Sequence, residues 1–172
     1  KFSHQIAAEL NNNSLSPLYG KVKMLGIKTA NNQSITQGTI VRELVKLFSE
    51  KKPLNKLYEE QQQNFCFKLI INMLNAAKIT WPNEWESGGV LTKAVGFVAF
   101  AKSLPILYDR AKTENDATEI FFRKAFKASD EAMKMTNTEI NITNFPSNGS
   151  GANKLATYLV HYAQPLKNSM LK

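Results

Sequence analysis

Along most of this chain apolar side chains recur at the spacing of helix faces, not in the alternation of strands. Over residues 3–12, Ile6, Ala7 and Leu10 make one stripe, which the Asn11-Asn12-Asn13 run ends. Ser34 with Gln37 three residues on has the capping-box pattern, and predicts a helix from there to Ser49. In it Ile40, Val41, Leu44, Val45, Leu47 and Phe48 face inward, with Arg42, Glu43 and Lys46 on the other side. Pro53 separates this from one long helix over 54–77, whose inner residues include Leu57, Tyr58, Phe65, Leu69, Ile70 and Met73. Trp81-Pro82-Asn83-Glu84-Trp85 breaks the pattern as a loop plugged into the core edge, each indole burying its ring while its N–H keeps a partner. An amphipathic helix over 118–135, with Ile120, Phe121, Phe122, Ala125 and Phe126 inside, and a final helix over 152–163 close the series.

Residues 89–104 differ from these. After Gly88-Gly89 the run is nearly apolar all round, and a helix without a broad polar face has to be covered by its neighbours. It is predicted as the central element, with Pro105 kinking or ending it. Lys93 and Lys102 interrupt it, so its apolar part falls short of the roughly 18 to 20 residues that cross a bilayer. The pattern as a whole predicts an all-α fold: a compact multi-helix domain around this buried helix, with at most one short extended segment. That segment, Lys21 to Leu25, is too short to bury an edge alone and calls for a partner outside the chain.

With 172 residues the chain has the length of one domain, and its 43% hydrophobic and 21% charged content is ordinary for a globular protein and suggests neither disorder nor a coiled coil. Residues 1–172 are therefore read as a single helical domain. The single cysteine, Cys66 between Phe65 and Phe67, cannot form an internal disulfide and reads as a buried thiol, which fits a reducing, cytoplasmic setting.

Charge changes the picture more. The formal net charge is +8, and residues 1–56 hold nine Lys or Arg against three Asp or Glu. Lys21, Lys23 and Lys28 cluster on one segment and Lys46, Lys51 and Lys52 near the next helix end, which makes these six the candidate contacts to nucleic-acid phosphates. The same charge also serves solubility alone in many small domains.

Specific chemistry is sparse. His4 and His161 lie at opposite ends, Cys66 is mid-helix, and no spacing suits a zinc site, so no metal and no cofactor is assigned. Glu84 with Glu86, and Asp130 with Glu131, read as solvated surface, and no catalytic residue is assigned. Asn148-Gly149-Ser150-Gly151 opening a helix, with Lys154 close by, has the makings of an anion trap; Gly149, Ser150, Gly151 and Lys154 are the candidate phosphate ligands. It lacks the ending of a Walker A loop, and Ser150 serves equally as an ordinary helix cap.

Three stretches carry a resemblance. Leu10-Asn11 with Ser16-Pro17-Leu18-Tyr19-Gly20-Lys21, then Val90-Leu91-Thr92-Lys93-Ala94-Val95-Gly96-Phe97, then Phe145-Pro146-Ser147-Asn148-Gly149-Ser150-Gly151 are similar, in order and spacing, to segments in the C-terminal half of DGQHR-domain proteins. That group includes the DndB-like proteins of bacterial DNA-modification systems. The residues that name the family, Asp-Gly-Gln-His-Arg, do not occur in this sequence, which opens at Lys1. The resemblance thus implies the C-terminal part of a longer protein, serving DNA modification or defence by binding DNA or by organising the motif-bearing half and its partner proteins. Two further readings stay open: an interaction scaffold without nucleic-acid binding, and a fragment of an enzyme whose site lies in the N-terminal part.

Overall fold

The computed structural model describes residues 1–28, 30, 33–60, 63–86 and 88–163. The element order is α1 (Phe2–Asn12), β1 (Val22–Lys23), β2 (Ile35–Thr36), α2 (Gln37–Phe48), α3 (Asn55–Glu59), α4 (Gln63–Thr80), α5 (Pro82–Trp85), α6 (Ala94–Thr113), α7 (Glu119–Met135) and α8 (Gly149–Leu159). 3₁₀ turns lie at Val90–Thr92 and His161–Ala163. The fold is all-α with a minimal extended part. Among the described residues no single helix is long and apolar enough to cross a membrane.

The central element is α6, which packs against α2, α4, α7 and α8 and keeps Phe100, Leu104 and Leu107 fully buried. Its bounds differ from the expected 89–104. Val90–Thr92 forms a separate 3₁₀ turn, Lys93 is extended, and the helix runs through Pro105 to Thr113. A mid-helix proline costs roughly 3 kcal/mol. Leu104, Leu107 and Ala111, with no exposure, hold the far half against the core and outweigh that cost at about 1.5–3 kcal/mol per buried leucine.

The short strand finds its partner within the chain. β1 and β2 pair in parallel, Val22 opposite Ile35 and Lys23 opposite Thr36, and both apolar members are fully buried. This moves the start of α2. Ile35 and Thr36 are kept extended by the pairing, so Thr36 is the N-cap, its Oγ1 accepting from the Thr39 N–H at 3.1 Å. Ser34 instead donates its hydroxyl to the Thr92 carbonyl, and the Gln37 side chain accepts from the Leu25 N–H at 3.1 Å.

Where one helix is expected over 54–77, α3 ends at Glu59 and α4 begins at Gln63. Glu60 closes α3 as its C-cap, and Tyr58, expected on the inner face, is about half exposed. In α7 the Phe121, Phe122, Ala125, Phe126 face is buried, but Ile120, one step around the helix from Phe121, is 71% exposed. The tryptophan segment is a short helix with Pro82 in its first turn, and both indoles are buried. Trp81, Phe126, Phe100 and Trp85 follow one another as ring contacts 5.4–6.2 Å apart, knitting α5, α6 and α7 together. The Trp81 N–H donates to Asp130 at 3.0 Å, whereas that of Trp85 has no partner among the described residues; ring burial there outweighs the unmet hydrogen bond.

Glu114 ties the end of α6 to α7 and to the last 3₁₀ turn. It accepts from the Tyr162 hydroxyl at 2.7 Å, from Arg110 at 2.8 Å and from Lys124 at 3.0 Å. Arg110 and Lys124 in turn lie 5.4 and 5.0 Å from the Tyr162 ring centroid. The Tyr162 hydroxyl first, then Lys124 and Arg110, lowers the Glu114 carboxyl from 4.5 to about 2. A carboxylate with a depressed folded-state pKa contributes stability above its unfolded value, which is lost as pH falls towards the folded one. The stability difference between the wild type and Glu114→Gln should therefore shrink as pH is lowered from about 5 to about 2, with the size kept modest by solvent. Thermal unfolding across that range checks this; a difference independent of pH would contradict it.

Candidate nucleic-acid interface

The six lysines singled out in the sequence fall at two ends of α2. Lys21 and Lys23 flank Val22 on β1, which pairs with the strand leading into α2, and Lys28 follows on the same segment. Lys46 is in the last turn, with Lys51 and Lys52 just beyond it. A helix of 12 residues separates the two sets by about 18 Å. The structure brings Lys46 instead to groups from far along the chain.

Those groups line a cleft of about 370 Å³. Its floor is the first turns of α6, at Ala94, Val95 and Val98. One wall is α2, with Arg42, Glu43 and Lys46; the other is Ser147, Asn148 and Gly149 at the start of α8; Lys102 closes one side. Glu43 is the buried member, its side chain 4% exposed, contrary to its expected place on the outer face of the helix. It lies one helical step from buried Leu44, and the cations on either side satisfy it: Arg42 Nε at 3.1 Å and Lys46 Nζ at 2.9 Å, both on Oε1. Arg42 and Lys46 remain more than half exposed. Three cations thus face the cleft against one carboxylate, and Glu43 holds two of them in position.

The helix opposite starts earlier than expected, at Gly149, and its cap is Asn148 in place of Ser150. Asn148 Oδ1 accepts from the Gly151 N–H at 2.9 Å, and the Asn148 carbonyl accepts from Ala152. Asn148 caps because Gly149 and Ser150 are already in the first helical turn. Gly151 is a close-approach glycine: a Cβ there would run into the Pro146 carbonyl oxygen and lie 2.9 Å from the Phe145 carbonyl carbon. Of the four candidate phosphate ligands, only Gly149 lines the cleft. Ser150 is exposed, Gly151 is buried with its N–H bound, and Lys154 lies 5.4 Å over the Phe145 ring.

Arg42 and Lys102 are the cleft residues that the sequence reading left out. Lys102 carried a signal, because a lysine within an otherwise apolar central helix marks a point where the surrounding packing must open.

The remaining candidates have structural surroundings. Cys66 is fully buried, and burial pushes its thiol up to about 12. It should resist a thiol reagent in the native protein and react on unfolding; rapid native labelling would contradict this. Asp130 is bound by the Trp81 indole and by Lys134 at 2.6 Å. Among the described residues no group of three or more His, Cys, Asp or Glu stands close enough to hold a metal ion. Comparison with protein-family models, with curated proteins and with solved structures finds no match to this chain.

Proposed function

We propose that this chain is a helical binding module whose α2–α6–α8 cleft contacts the phosphate backbone of DNA. The observation that carries the reading is the meeting of Arg42, Lys46 and Lys102 at one cleft, in a chain of net charge +8. The cleft opens beside the start of α8, where the helix dipole adds positive potential. Fixed cations without stacking aromatics supply the sequence-independent term of DNA binding, so the affinity should be micromolar or weaker at physiological salt. On its resemblance to DGQHR-domain proteins, the module would serve a bacterial DNA-modification or defence system, holding DNA for a motif-bearing half.

Lysine footprinting tests the reading. With duplex DNA at low salt, Lys46 and Lys102 should be protected from an amine-reactive reagent, while Lys21, Lys23 and Lys28 stay reactive. Protection spread evenly over all lysines, or none, would overturn it.

A further inference from the structure

A second surface, sharing no residue with the cleft, lies on the seam between α4 and α7. It is a groove of about 520 Å³ with two kinds of lining. Ile79, near the end of α4, and Ile120, in the first turn of α7, present apolar side chains that are 48% and 71% exposed. Arg123, Lys124 and Lys127 stand beside them on α7.

Sorting the charges shows what the groove offers a partner. Lys124 is engaged by Glu114 and lies against the Tyr162 ring. Asp130, the one carboxylate in the lining, is bound by the Trp81 N–H and neutralised by Lys134. Arg123 and Lys127 have no partner among the described residues, and at i, i+4 they project from the same side of α7. What remains is a pair of available cations next to two exposed isoleucines.

We propose that this groove docks an acidic amphipathic segment of a partner protein. Its carboxylates would pair with Arg123 and Lys127 while its apolar side chains cover Ile79 and Ile120. The apolar half of the lining decides between occupants. A nucleic-acid backbone would satisfy the cations but leave the isoleucines against charged phosphates, whereas an amphipathic helix matches both halves. Charge complementarity also sets the sign of the partner, since a basic segment would face two uncompensated cations.

The probe is a synthetic peptide of about four helical turns, with leucines along one face and glutamates along the other. Titrated into the full chain carrying isoleucine-methyl labels, it should shift the Ile79 and Ile120 signals. Arg123→Glu with Lys127→Glu should weaken binding about tenfold, and Ile120→Ser should weaken it while circular dichroism stays unchanged. A matching peptide with lysines for glutamates should not bind. Arg42→Gln with Lys102→Glu should leave the affinity unaltered, which separates this surface from the DNA cleft. The proposal is overturned by no shift at millimolar peptide, by shifts confined to the cleft, by indifference to the Arg123 and Lys127 reversals, or by duplex DNA in place of the peptide moving the two isoleucine signals.

Discussion

Gly96→Leu should lower stability by about 3 kcal/mol or more, a fall in melting temperature on the order of 10 °C for a chain of this length. A Cβ at Gly96 would lie 2.5 Å from the Leu91 carbonyl oxygen, 2.6 Å from that of Val90 and 2.7 Å from the Leu91 Cα. All three are backbone atoms of the 3₁₀ turn folded over the start of α6, so no side chain can swing aside. The turn itself is buried, at Val90, Leu91 and Thr92, and cannot move out without exposing them. Gly96→Ala should already show part of the loss, because the clash begins at the first carbon. An unchanged melting temperature for the leucine variant would mean that this turn does not pack on α6.

The second large effect is on binding. Arg42→Gln, Lys46→Gln and Lys102→Glu together should weaken binding to duplex DNA by about tenfold or more through the loss of three phosphate contacts. Glutamines are chosen on α2 because Glu43 is buried, and glutamates beside it would surround it with like charge. Their amides keep donors near Glu43, so the helical signal should survive. Glu43→Gln gives the complementary result: removing the one carboxylate in the cleft should tighten binding a few-fold, roughly one surface charge's worth. Equal affinity for the wild type and both variants would leave the cleft without a role in DNA binding.

Much of the fold was legible because amphipathic periodicity reports burial directly. In the α2 stripe Ile40, Leu44, Leu47 and Phe48 are buried where the spacing puts them, as is the phenylalanine face of α7, whereas Val41 is partly buried and Val45 is 46% exposed. The departures are places where another interaction overrides periodicity. Ser34 has the spacing of a cap, but strand pairing of Ile35 and Thr36 holds the backbone extended past it. Pro105 has the chemistry of a terminator, but tertiary burial on both sides carries the helix through. Ile120 has the hydrophobicity of a core residue, but its angular position puts it outside.

The cleft was less legible for a different reason. Lys46 and Gly149 were visible as separate local features, one in a basic cluster and the other in a glycine-rich turn. Only the packing of α2 and α8 on α6 brings them together, and it brings in Lys102 and also Arg42, whose local sequence marks it as an ordinary surface cation. Periodicity along one helix carries no information about which face of a distant helix lies opposite. The same limit hid Glu43, since its burial depends on the approach of another element.

The measurement that bears most directly on the cleft is the salt dependence of DNA binding by the wild-type chain. Three cations, two of them paired with Glu43, should give a slope of about −1.8 to −2.7 for the logarithm of the binding constant against that of salt concentration. In the Arg42→Gln, Lys46→Gln, Lys102→Glu variant the slope should fall towards zero along with the affinity. Binding that is indifferent to salt, a slope unchanged in the variant, or no binding at low salt would contradict the account.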